Sequence, residues 1–265
     1  MSLKSVGFPK LALGVAAALL LAGSASAAEV KVMISGGLTA AYKALIPEYE
    51  HASGNTVVTA YGPSMGTTQN AIPVRLERGE PVDVLILVGY ALDDLIKKGK
   101  AVADSKVDLV RSPIAIAVRA GAPKPDIGSV DALKRTLLAA KSVAYSDSAS
   151  GVYVSTEMFS KLGIADEMKD KAKMIPATPV GEIVAKGEAE IGFQQMSELM
   201  PVSGIDIVGP LPAEVQKITV FSAGVSATSK EPDAAKSLIK FLSSQQAAPV
   251  LVKSGLDPVQ AGGKT

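Results

Sequence analysis

Val82-Asp83-Val84-Leu85-Ile86-Leu87-Val88 holds one polar residue in seven. A short apolar run of this kind, rich in β-branched side chains, reads as a strand buried on both faces. Its neighbours extend the reading. Upstream, Glu29 to Ser35 (EVKVMIS) alternates polar and apolar residues and runs into Gly36-Gly37, as a strand entering a tight turn does. Leu38, Ala41, Leu45 and Tyr49 recur at helical spacing up to His51, and Gly54 ends the helix. Thr56 to Tyr61 is a second strand, β-branched and aromatic. Gly62-Pro63-Ser64-Met65-Gly66 is a turn, followed by a helix to Arg78 that Pro73 disturbs. Downstream, Ala91 to Lys98 is a short helix stopped by Gly99. Strands alternating with helices predict an α/β fold built from βαβ units, with a largely parallel sheet.

A second set of elements follows. Ile114 to Arg119, Ser142 to Tyr145 and Ile191 to Gln194 read as strands. Val130 to Ala139, Val152 to Leu162 and Val180 to Lys186 read as helices. Ile218 to Val225 is a late strand and Asp233 to Leu242 a late helix with one apolar face. Two sets in a chain of this size predict two lobes. Lobe 1 is expected over 28–112 and 220–265, lobe 2 over 113–219. The two crossings between them form a natural hinge, since a few residues can absorb a closing rotation.

The N-terminus predicts the compartment. Lys4 and Lys10 precede an apolar run from Leu11 to Leu21, then Gly23-Ser24-Ala25-Ser26-Ala27. Basic, apolar and small-residue regions in that order read as a secretory signal peptide, residues 1–27, and the apolar run is short for a membrane span. A soluble periplasmic protein is expected.

Composition narrows the chemistry. Lys and Arg number 27 and Asp and Glu 26, with no basic stripe, which argues against a nucleic-acid partner. There is no cysteine, so thiol catalysis, thiolate metal sites and disulfides are excluded. The single histidine, His51, sits in a polar helix end and reads as a surface group. A Ser-His-Asp triad and a His-rich metal site therefore have no basis. Any reaction must use Tyr, Ser, Lys or carboxylates, and no metal or cofactor is expected.

In open α/β sheets ligands sit beyond the carboxyl ends of the strands. Three loops fit that place: Ser35 to Thr39, Tyr61 to Thr67, and Ser146 to Tyr153. Each sets Gly and hydroxyl residues ahead of a helix, where free N–H groups attract anions and glycine allows close approach. The same residues also serve as ordinary N-caps. Candidate anion-binding residues are Gly36, Gly37, Leu38, Ser64, Met65, Ser150, Gly151 and Val180, with Gln194 at the end of a short strand. Arg75 and Arg111 are candidates for a two-bonded carboxylate grip, or else surface charges. Tyr153, Asp147 and Lys43 are candidate proton-transfer groups, and Tyr153 reads equally well as packing.

At these loops the chain resembles periplasmic solute-binding proteins of the molybdate-binding type. The resemblance runs through SGGLTAAYKAL, RLERGEPVDVLILVGYALDDLIKKG, SDSASGVY and AAKSLIKFL. It implies a type II periplasmic-binding-protein fold, two α/β lobes with a hinged ligand cleft. Molybdate binders carry a serine where Gly37 stands, a run of serines where Ser64 remains, and a tyrosine where Gln194-Gln195 stand. A tetrahedral oxyanion would lose those hydroxyl donors, and unmade bonds to a charge are costly. A flatter di- or tricarboxylate fits better. GPSMGTTQ and YSDSASGVY resemble the branch that contains the bacterial aconitate isomerases. That resemblance implies interconversion of trans- and cis-aconitate by allylic proton transfer.

Three functions remain open at this point: an isomerase, the binding component of an ABC importer that would dock an ABC permease, and a sensor presenting its ligand to a receptor. All use one fold, and fold does not fix function. A monomer that binds a small anion is expected in each case.

Overall fold

The computed structural model describes residues 27–259. The leader expected over 1–27 lies outside them but for Ala27. Among the described residues, eleven strands form two sheets. The first contains β1 (Glu29–Ile34), β2 (Thr56–Tyr61), β3 (Val84–Val88), β4 (Val107–Ser112), β10 (Thr219–Val225) and β11 (Asp257–Pro258), in the order β11-β4-β10-β3-β1-β2. The second contains β5 (Ile114–Arg119), β6 (Val143–Ser146), β7 (Ala172–Ile175), β8 (Ile191–Gln195) and β9 (Ile205–Pro210), in the order β7-β6-β8-β5-β9.

Every residue of β3 is buried. Val84, Ile86 and Val88 join one core with Leu45, Phe221 and Leu238, while Leu85 and Leu87 join another with Met33, Ile72 and Leu92. Helices cover the sheet on both faces, so alternate side chains of β3 meet apolar partners in both directions. The second sheet is covered likewise. Ile116, Val143 and Phe193 pack with Leu133 and Phe159 on one side, and Ala144 packs with Val180 and Val184 on the other.

The sheets are mixed, not largely parallel. β1 is parallel to β2 and β3, and β6 to β7 and β8. β10 is antiparallel to β3 and β4, and β5 to β8 and β9. Parallel neighbours need a crossover connection. β4 and β5 lack one, because Pro113 alone separates them and the chain passes from one sheet to the other. β10 brings it back. The crossings are tied side by side: the Gln216 side chain accepts from Ile114 N–H at 2.9 Å and donates to Ile114 O at 2.9 Å. Gln195 Nε2 donates to Thr219 Oγ1 at 2.7 Å beside them.

Other elements shift from the sequence reading for local reasons. The helix after the second loop is only Ile72–Glu77, and Pro73 starts it, since the first turn needs no Pro N–H. The helix expected from Val152 begins at Ala149 and runs over 149–161 with a π segment at Val154–Met158. Buried Asp83 fastens the first lobe. It accepts from Lys31 N at 2.8 Å, Ser229 Oγ at 2.8 Å, Lys230 N at 2.9 Å and Glu231 N at 3.2 Å. Burial alone would raise this carboxyl, yet the hydrogen bonds outweigh it and hold it below the usual range. No helix among the described residues is long and apolar enough to cross a membrane.

Candidate functional site

A cavity of about 700 Å³ opens between the two sheets. The first sheet contributes the loops after β1 and β2, including Gly36, Tyr61, Gly62 and Pro63. The second contributes Ser146, Asp147 and Ser148 after β6, Ala177 to Pro179 after β7, and Gln194, Ser197 and Glu198 at the end of β8. These are the carboxyl ends of parallel strands, where an α/β sheet leaves room for ligands. Two longer helices begin at the wall: Thr39–Ser53, with Thr39 and Ala40 facing the space, and the helix over 149–161, just after Ser148. The positive end of a helix favours negative charge.

The charges of the wall are few. Lys43 is the one cation among the described lining residues, with Nζ 4.8 Å from the Tyr61 ring centroid. Asp147, Glu182 and Glu198 are the carboxylates. Asp147 Oδ2 accepts from Ala177 N at 3.1 Å. Ala177 is held at φ 55, a left-handed conformation that costs a non-glycine residue and tends to persist where surroundings enforce it.

Glu198 has the most perturbed carboxyl in the cavity. It lies three residues after Gln195, the N-cap of the short helix Met196–Leu199, the position a capping-box glutamate takes. Gln194, next to the N-cap, accepts from Val180 N at Oε1 at 2.8 Å. Burial pushes the Glu198 carboxyl up to about 7, against the lowering influence of Gln194 and Gln195, and the nearby Asp147 charge adds to the rise. Opposite lies Gly36, and a methyl group there would fall on Glu198 Oε1. The short helix is anchored to the first lobe by Ser197 Oγ, which donates to Gly37 O at 2.6 Å.

Of the sequence candidates, the structure brings Gly36, Asp147, Gln194 and Lys43 to the cavity wall. The others stand elsewhere. Tyr153 is buried in the second core and donates to Val215 O at 2.8 Å, so it is a packing residue in this structure. The helix starts three residues earlier than expected, and this carries Tyr153 off the first turn. Arg75 pairs with Glu80 at 2.8 Å on the first lobe, and exposed Arg111 stands on β4 between β10 and β11; neither lines the cavity. Among the described residues, no arginine stands on this wall. Gly37 faces the Phe221 ring, which fills the space a serine would need. Leu38 belongs to the first core. Ser64 is fully buried and accepts from Val88 N at 3.0 Å, pinning the loop to β3. Met65 takes the Tyr90 hydroxyl at Sδ at 3.7 Å, outside the cavity. Ser150 bonds Ser146 Oγ at 3.0 Å, and Gly151 lies against the Ser146 carbonyl, where only glycine fits. The Val180 N–H is spent on Gln194.

Sequence reasoning passed over Glu198, Asn70 and Glu182, which line the cavity, and included Tyr61 only as the start of its second loop. Glu198 had one legible signal, an acid three residues past the end of an apolar strand, where a capping glutamate stands.

Two mixed sheets joined by two strand crossings, with helix starts and strand ends around one cavity between them, define a two-lobed solute-binding protein. The chain belongs to the bacterial extracellular solute-binding proteins, whose family model matches residues 30–257. It is 50% identical over 258 residues to an aconitate isomerase from Pseudomonas sp, covering 96% of this chain and 97% of that protein. It is 26% identical to the molybdate-binding protein ModA of Azotobacter vinelandii, covering 89% of this chain and 92% of that one. Among solved structures, the sulfate-binding protein SubI of Mycobacterium tuberculosis superposes with a TM-score of 0.71 at 20% identity, covering 88% of this chain and 87% of that one. The last likeness concerns the fold.

Proposed function

We propose that this protein is an exported isomerase that interconverts trans- and cis-aconitate in the cavity between its lobes. The observation that carries the reading is the 50% identity, over almost the full length of both chains, to an aconitate isomerase. The reaction suits the wall. A proton leaves the substrate methylene, the electron pair spreads over the allylic system, and a proton returns at the far carbon. The double bond moves by one position with no net oxidation. Helix N-termini and Lys43 stabilise the added negative charge. The Phe221 ring behind Gly37 supports a ligand other than a tetrahedral oxyanion, since no serine hydroxyl fits there.

Residues 1–27 are removed on export in this reading, and the mature chain works in the periplasm as a monomer on a tricarboxylate. The lobes are 28–112 with 220–265, and 113–219, hinged at Pro113 and the stretch before Thr219. Family membership favours a second reading, the binding component of an ABC importer for a small anion. Incubating the purified mature chain with cis-aconitate and following trans-aconitate by chromatography separates the two. Turnover supports the isomerase. Tight binding without turnover supports the importer component.

A further inference from the structure

We infer that Glu198 is the proton-transfer residue of this cavity, held on its wall where the second lobe meets Gly36 of the first. The inference rests on the isomerase reading and names the group that reading requires.

Proton abstraction from carbon needs a base that faces the ligand and does not move. With one exposed histidine, His51, and no cysteine, the described wall supplies only a few such groups. Tyr153 is outside it. Asp147 is engaged with the Ala177 N–H. Lys43 rests on the Tyr61 ring and is the lone cation available to the substrate's charges. Glu182 lines the cavity from the helix Val180–Ala185, with no ion pair among the described residues. Glu198 sits on the short helix Met196–Leu199, which Ser197 Oγ pins to Gly37 O at 2.6 Å, next to Gln194, whose Oε1 accepts from Val180 N–H. It is also the side chain that meets the opposite lobe, against Gly36.

The electrostatics fit the task. The titratable groups that line the cavity with Glu198 are Asp147, Glu182, Tyr61 and Lys43, and of these the Asp147 charge acts on it. Burial and Asp147 favour its neutral form, so the ionised form is a stronger base than an exposed glutamate. In the step itself the methylene C–H bond breaks and its proton passes to a Glu198 oxygen. The same oxygen returns it to the far allylic carbon, so the carboxylate is regenerated without a co-reactant.

The test uses the mature chain with Glu198→Gln and Glu198→Asp. Wild type turning over cis-aconitate is the control for the isomerase reading, and its failure sinks that reading and this one together. If wild type works, E198Q is expected to lose about 10²–10⁴-fold in kcat. Calorimetric affinity for trans-aconitate stays within a few-fold, and E198D recovers part of the rate. E198Q turning over within a few-fold of wild type overturns the inference and leaves the isomerase reading standing. Loss of binding in step with rate in both variants also overturns it, since that is the mark of a structural capping residue.

Discussion

Among the described residues, a larger and a smaller cavity where the lobes meet differ in how their charges are satisfied. The smaller, about 320 Å³, is lined by Lys106, Asp93, Asp108, Lys217 and Glu157 among others. Its lysines are paired: Lys106 with Asp93 at 2.6 Å and Lys217 with Glu157 at 2.7 Å. Lys217 also lies 5.0 Å from the Tyr153 ring centroid. The larger cavity holds Lys43, Asp147, Glu182 and Glu198, and none of these forms an ion pair among the described residues. Paired charges have spent their interaction on each other. Unpaired charges facing a space keep theirs for a ligand, at a cost in stability. The contrast separates a joint between lobes from a working site.

The largest effect expected from this contrast is on substrate affinity. Lys43→Gln removes the one cation of the larger wall, and a hydrogen bond to a charged group is worth about 1.5–3 kcal/mol. KM for aconitate should rise roughly 10- to 100-fold, with thermal stability little changed. Steady-state kinetics checks this, and an unchanged KM would break the contrast.

Next comes stability. The Glu198 carboxyl is raised from 4.5 to about 7, so the folded state binds its proton more tightly than the unfolded chain. Its contribution is favourable below about pH 4.5 and is lost as pH rises towards 7. Glu198→Gln should therefore be more stable than wild type at pH 8, by about 1–3 kcal/mol or roughly 5 °C in Tm. At pH 5 the advantage should be small. Melting curves at the two values check the sign. Asp83 behaves in the opposite sense: its carboxyl is lowered, so the stability it lends is present at neutral pH and lost as pH falls through its folded value.

The smallest effect belongs to the smaller cavity. Lys217→Met breaks an exposed pair with Glu157 and should change thermal stability little, with turnover unchanged. A large loss of activity would mean that the second cavity takes part in the chemistry.

Much of the framework was readable before the structure. β2 and β5 and the helix Val130–Ala139 coincide with the sequence reading, because periodicity and flanking Gly or Ser residues act within a few positions of the chain. Short edge strands were not readable. β11 has two residues and β7 four, too few to show alternation. The loops were placed correctly at strand ends, yet which side chains enter the cavity depends on where each helix begins. A three-residue shift at Ala149 moved Tyr153 into the core. Arg75 was claimed by Glu80, five residues on, a pairing visible in RLERGE once the helix is seen to stop at Glu77. Glu198 escaped because a four-residue helix carries no periodicity, and it meets Gly36 across the lobes, 162 positions away in the chain.

The most direct test of the account is the pH dependence of kcat/KM for wild-type turnover of aconitate, which reports the free enzyme. If the larger cavity works through a carboxyl raised to about 7, the rate rises with pH and reaches half its plateau near that value. A rate already at its plateau at pH 5 would contradict it.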